Sequence, residues 1–240
     1  MKTPVSQYFD SIADDYDHRY DANARPYHSY LHQQRLRIAA RNIDFAGQRI
    51  LDIGAGTGSL YDLITQQLAD PDYFACDVSE EMLAQSRIPR QQRAVGGITE
   101  IIPPHAAFDL IFMLGVSTYL PPEVWQAVLA RVTTLLAPEG RFIVSFTNPR
   151  CLDWHVRTMI RRVWRGKGVL GQSFQTFAYL PDVATPPLRL HHAEWYNASV
   201  TPINTLLPNL SLRVARWADK HLPEGLRSLC CADIVAIYTR

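Results

Sequence analysis

Little net charge, few cysteines and no long apolar run mark this 240-residue chain, and each absence removes a class of protein. Lys+Arg (24) and Asp+Glu (23) nearly cancel. No global field is therefore available to gather nucleic acid, although a local basic patch stays open. No uninterrupted apolar stretch approaches the roughly 18 residues of a membrane span; the longest, about Phe108 to Val116, is broken by Asp109 and Gly115. The opening MKTPVSQYFD has no apolar core of the kind a signal peptide requires. Together these absences predict a soluble, cytoplasmic protein. The four cysteines, Cys76, Cys151, Cys230 and Cys231, form no C-x-x-C pair, so reduced thiols are expected and no metal site. Internal repeats and long low-complexity linkers are missing as well.

What is present is an alternation of strand and helix. Phe9, Ile12, Ala13 and Tyr16 fall at i, i+3, i+4, i+7, which predicts a short amphipathic helix. A second helix is predicted over about 25–42. RILDIG then reads as a strand entering a glycine-rich turn, TGSLYDLITQQLA as a helix, DYFACD as a strand, and VSEEMLAQSR as a helix capped by Ser79. FDLIFML is a buried strand, PPEVWQAVLARVTTLLAPEG a helix opened by proline and closed by glycine, and RFIVSF the next strand. This rhythm predicts an α/β fold, Rossmann-like and doubly wound, with a mostly parallel seven-stranded sheet covered by helices on both faces. The expected organisation is a single domain: an N-terminal helical lid (1–45), a ligand-binding core (46–148), a late insertion covering the substrate site (149–205) and C-terminal strands (206–240). Within the last parts, 151–166 reads as a helix, LRLHHAEWY as a strand, SVTPINTLLP as a broken helix, and LSLRVARWAD and CCADIVAIYT as strands.

The most informative stretch is ILDIGAGTG, residues 50–58. Glycines after an apolar strand let the backbone turn sharply and let a ligand lie against it. In the dinucleotide fingerprint the third glycine stands three residues after the second; here Gly58 comes one residue early and Ser59 holds that place. Asp52, two residues before the first glycine, would repel a pyrophosphate and suit a cationic ligand without phosphate. S-adenosylmethionine (SAM), with its ammonium and sulfonium, fits. Asp77 ends the next strand about twenty residues on, where an acid accepts hydrogen bonds from ribose hydroxyls.

ILDIGAGTGSL followed by ACDVSEEMLAQSR resembles the class I SAM-dependent methyltransferases, in particular their small-molecule (type 11/25-like) branch. YFDSIADDYDHRY is similar to the lid segment of that branch, and FDLIFMLGVSTYL and LLAPEGRFIVSF to its fourth and fifth strands. The resemblance covers roughly residues 6–148. It implies SAM as cofactor and S-adenosyl-L-homocysteine (SAH) as product. Gly54, Ala55 and Gly56 would line the methionine part, Asp77 would hold the ribose, Val78 and Met82 would pack near the adenine, Leu114 and Gly115 would lie beneath the sulfonium, and Tyr16 would close over the cofactor. One departure is that the family's adenine-reading acid falls on Gly97 here, leaving Ile98 to meet the ring.

Methyl transfer from a sulfonium requires positioning of the acceptor and exclusion of water; a base is needed only for a protonated acceptor. The candidate catalytic residues are His18 in the lid, Tyr119 in the loop after the fourth strand, and the pair His191 and His192, with His155 a further histidine. The insertion is aromatic (Trp154, Trp164, Phe174, Phe177, Tyr179, Trp195, Tyr196), suggesting an aromatic acceptor or a satellite core. Arg157, Arg161 and Arg165 share a helix face, with Arg162 and Lys167 nearby, fitting an anionic substrate, an anionic membrane or a solvated face. The expected function is methylation of an O or N atom of a small-molecule biosynthetic intermediate. The alternatives are a lipid-linked or quinone-like acceptor at a membrane surface, and a non-catalytic SAM-binding homologue. An NAD-dependent oxidoreductase is disfavoured by Gly58 and Asp52, and a nucleic-acid methyltransferase by LGVST, which replaces an N/D-P-P-Y/F motif.

Overall fold

The computed structural model describes residues 2–163, 175–183, 187–198 and 203–240. The chain opens with α1 (Pro4–Ile12), whose cap is Thr3: its Oγ1 accepts the Ser6 N–H at 3.1 Å. Two 3₁₀ turns, Ala13–Asp15 and Asp17–Tyr20, lead to α2 (Pro26–Ala39). Then follow β1 (Ile50–Ile53), α3 (Ser59–Thr65), β2 (Tyr73–Asp77), α4 (Glu80–Gln85), β3 (Arg93–Val95) and β4 (Phe108–Met113). Ser79 caps α4 as expected, accepting the Met82 N–H. Next come α5 (Pro122–Leu135), β5 (Leu136–Thr147), α6 (Leu152–Val163), β6 (Arg189–Ala198), α7 (Ile203–Leu206), α8 (Pro208–His221), α9 (Glu224–Cys230) and β7 (Cys231–Thr239).

The seven strands form one sheet in the order β3-β2-β1-β4-β5-β7-β6. Pairs among β1 to β5 are parallel; β7 runs antiparallel to both β5 and β6. From β1 the chain winds outward through β2 and β3, then restarts at β4 on the other side. A crevice therefore opens above the carboxyl ends of β1 and β4, where open α/β sheets bind ligands. The strands alternate between two cores. Leu51, Ile53, Ile111 and Val144 face one; Ile50, Leu110, Phe112 and Ile143 face the other. Among the described residues no helix is long and apolar enough to cross a membrane.

Two boundaries differ from expectation. The helix predicted to run to Gly140 stops at Leu135, and β5 begins at Leu136. Pro138 has no N–H to donate and biases Ala137 away from helical angles. The C-terminal strands expected over 206–240 reduce to β7: LSLRVARWAD is helical, inside α8, with small Ser211, Ala215 and Ala218 buried while Leu210, Val214 and Trp217 point outward. Those outward apolar residues are what mimics the alternation of a strand. The strand expected at LRLHHAEWY forms as β6, at the edge of the main sheet.

Candidate cofactor and acceptor site

Gly54, Gly56 and Gly58 all adopt positive φ (76°, 56° and 86°), a region that side chains with a Cβ avoid. A Cβ on Gly54 would land 2.1 Å from Val116 Cγ2, so even alanine would displace the neighbouring loop. This turn borders a cavity of about 580 Å³. All eleven residues expected to meet the cofactor line it: Tyr16, Asp52, Gly54, Ala55, Gly56, Asp77, Val78, Met82, Ile98, Leu114 and Gly115.

Charged groups are distributed unevenly around this cavity. Asp77 accepts the Gly56 N–H through Oδ2 and the Ser79 N–H through Oδ1, both at 2.8 Å. Burial nonetheless holds its carboxyl above the usual range. Asp52 is 3 % exposed and accepts the Tyr73 hydroxyl at 2.5 Å; burial pushes it up to about 7, against the lowering effect of that hydrogen bond. Sequence reasoning missed Arg35 of α2. Its guanidinium approaches Gly115 so closely that a Cβ there would lie 2.4 Å from Nη1. Arg35 makes no ion pair with any described residue, although the pull of Tyr196, Tyr20, Tyr16 and Asp233 outweighs its desolvation and keeps it charged. A cavity lined by a buried carboxylate and such a guanidinium is complementary to a zwitterion, for example an α-amino acid end. The acid missing at Gly97 has a counterpart three residues later, because Glu100 also lines the cavity.

The N-terminal segment closes the cavity through aspartates. Asp10 Oδ1 accepts the Ser79 hydroxyl at 2.6 Å, Asp14 accepts Gln85 Nε2 at 3.0 Å, and Asp17 accepts the Thr57 hydroxyl at 2.9 Å. Beneath them an aromatic wall forms: Phe9 meets Tyr119 edge-on at 5.3 Å, and Tyr16 meets Tyr20 at 5.4 Å.

A second chamber of about 240 Å³ adjoins the first, with Tyr20, His32, Arg35, Gly115 and Tyr119 lining both. Of the four catalytic candidates only Tyr119 is here; burial raises its hydroxyl to about 12. His18 lines neither chamber: it sits on the exposed side of the Asp17–Tyr20 turn, while Tyr20 and the preceding Tyr16 face inward. His191 and His192 line neither chamber either. They lie on β6 at the sheet edge, far in strand order from the glycine turn, and a register shift between Leu190 and His192 leaves both exposed. His155 is exposed on α6. The histidines that line the chamber are His28 and His32. Their spacing from each other and to Arg35 (i, i+4, i+7) is a polar stripe that was legible in the sequence. Burial, then Arg35, pushes His32 down to about 3. Its Nδ1 finds no partner among the described residues, and its ring stacks on Tyr20 at 4.3 Å. At the far wall Tyr27 donates to Asn197, and Asn197 donates to Asp233; Asp233 is raised by burial.

Parts of the 149–205 segment pack against the loop after β4, which lines both chambers. Thr118 exchanges two hydrogen bonds with Phe177, and Tyr179 stacks on Trp125 at 5.4 Å while donating to the Leu120 carbonyl. Tyr196 lines the second chamber. Trp154 lies on α6, half-buried, and Trp195 packs against the core from β6. Arg157 pairs with Asp153 at 2.7 Å. The side chains of Arg161 and Arg162, and Trp164, Arg165, Lys167 and Phe174 altogether, lie outside the described residues.

Residues 51–142 match the family model of a methyltransferase domain. The chain is similar to malonyl-[acyl-carrier protein] O-methyltransferase of Herminiimonas arsenicoxydans, with 33% identity over 128 residues, 53% of this chain. The match spans about half (46%) of that relative's length. Among solved structures, the fold is similar to the SAH-bound magnesium protoporphyrin IX methyltransferase of Synechocystis (TM-score 0.66, 15% identity, covering 100% of this chain and 99% of that one). It is also similar to the SAH-bound N-methyltransferase NodS of Bradyrhizobium japonicum (TM-score 0.62, 13% identity, 98% of both chains).

Proposed function

We propose, on the premise that this chain is built on a class I SAM-dependent methyltransferase domain, that it transfers a methyl group from SAM to an O or N atom of a small molecule, with oxygen favoured. The observation that carries this reading is that Asp52 and Arg35 both line the cavity bounded by the glycine turn and Asp77. The residues present fit the cofactor: Asp52 answers an ammonium, Arg35 a carboxylate, and Asp77 ribose hydroxyls. Val78, Met82 and Ile98 supply apolar contact for a base, with Glu100 in reach of the same cavity. When bound, SAM supplies an already activated methyl group.

The chain's own task is then to orient the acceptor and exclude water. Tyr16, Tyr20 and Phe9, tied down through Asp10, Asp14 and Asp17, form the cover. The acceptor is assigned to the second chamber. Its imidazoles are held neutral: burial lowers both His28 and His32. A neutral His32 accepts a hydrogen bond and orients a hydroxyl, but it is too weak a base to strip a protonated amine. Arg35 adds positive potential that disfavours a cationic amine and tolerates an anionic oxygen. The similar malonyl-[acyl-carrier protein] O-methyltransferase methylates an oxygen, which points the same way. Two measurements test the proposal: calorimetric binding of SAM and SAH, and SAH release over a panel of carboxylic acids, hydroxy acids and amines. No affinity for SAM or SAH ends it; turnover confined to amines overturns the preference for oxygen.

A further inference from the structure

The segment from α7 to α9 inverts the usual arrangement of a surface helix. In α8 the buried face carries Ser211, Ala215 and Ala218, and the outer face carries Leu210 (48 % exposed), Val214 (46 %) and Trp217 (58 %). Leu206 and Leu207, just before α8, extend this stripe and are 73 % and 53 % exposed. A large apolar stripe at i, i+4, i+7 aimed at solvent marks an interaction surface. Arg213 and Lys220, both exposed, border it on one side.

α8 is held in this orientation by its polar side. Asp219 accepts hydrogen bonds from Tyr30 and Gln34 of α2, and Arg216 sits over the Tyr30 ring at 5.4 Å. Asp219 is the sole acid of α8 and is turned toward α2, so the border beside the stripe carries cations without an answering carboxylate from the same helix. A second copy packed on the same stripe would set Arg213 and Lys220 against each other. Anionic headgroups satisfy both features: the cations meet phosphate while Leu and Trp side chains enter the headgroup–acyl boundary.

From this geometry we infer that α8, with the leucines preceding it, is an in-plane docking surface for an anionic lipid bilayer. α2 lies between this surface and the second chamber, offering Tyr30 and Gln34 to α8 and His28, His32 and Arg35 to the chamber. Docking therefore brings the second chamber to the membrane with only α2 between it and α8. The inference concerns attachment and does not depend on the methyl-transfer reading.

The experiment is co-sedimentation of the full chain with vesicles of phosphatidylcholine alone, or with about one third phosphatidylglycerol. Roughly tenfold stronger binding to the anionic vesicles is expected, lost at high salt. L210S/W217S and, separately, R213E/K220E lose that binding by about tenfold. A thermal melt and SAH calorimetry show that each variant is folded. Failure of the wild-type chain to sediment with anionic vesicles overturns the inference. So does light scattering that finds a dimer dissociated by L210S/W217S with vesicle binding intact.

Discussion

Asp77 Oδ2 accepts the backbone N–H of Gly56 at 2.8 Å, tying the end of β2 to the glycine turn that leaves β1. The same carboxylate both shapes the turn and faces the cavity. Asp77→Ala is expected to weaken SAH binding by roughly a hundredfold, through loss of charge-assisted hydrogen bonds, while the protein stays folded. Calorimetry and a thermal melt check both halves; unchanged SAH affinity would remove Asp77 from the cofactor site.

Glycine substitutions in the turn should separate stability from binding. At Gly54 an added Cβ meets Val116 at 2.1 Å, whereas at Gly56 it meets only Met82 Cε at 3.4 Å. Gly54→Ala is expected to cost about 2–4 kcal/mol of stability. Gly56→Leu keeps more of the stability and loses the cofactor, because its side chain occupies the cavity. Denaturant titration alongside SAH binding distinguishes the two.

Arg35→Gln is expected to weaken SAH by roughly tenfold or more and to leave 5′-methylthioadenosine, which has no carboxylate, almost unaffected. Equal loss for both ligands means that Arg35 only shapes the pocket. No loss for either, with a raised acceptor KM, assigns the guanidinium to the acceptor instead.

Asp52 makes the apo protein sensitive to pH. Its folded-state pKa of about 7 lies above the ordinary 3.8, so folding favours the protonated form. That contribution is complete below the unfolded value and is lost as pH rises through about 7. The amide introduced by Asp52→Asn never ionises, so the melting temperature gained by D52N should grow with pH, reaching several degrees by about pH 8.5. In the wild-type chain SAM affinity should rise over the same window, since the ionised form meets the ammonium. A pH-independent difference in melting temperature would refute the assignment.

Among histidines the contrast is sharp. His32→Gln is expected to slow turnover about tenfold with SAH affinity retained, whereas His18→Ala, His191→Ala and His192→Ala, all at exposed positions, change neither quantity. Steady-state kinetics on any accepted substrate decides this, and a loss of activity in the β6 variants would contradict the site described above.

The part of the cavity built on the glycine turn was legible in the sequence because its signals are local. A strand, a glycine turn and an acid at the next strand end lie within about thirty residues, and backbone sterics and charge dictate each. The alternation of strand and helix determined the layered sheet for the same reason. Tertiary structure alone decided the rest. Asp52 and Arg35 come from different elements, and only packing puts them on one cavity, just as only packing links Tyr27, Asn197 and Asp233 by hydrogen bonds. The histidines of β6 could not be discarded from their identity, since a strand's place at the sheet edge follows from long-range pairing. α8 shows the same limit in reverse: its outward leucines and tryptophan read as core or strand until the neighbours of the helix are known, because hydrophobic pattern records which residues seek cover and not whether this chain supplies it.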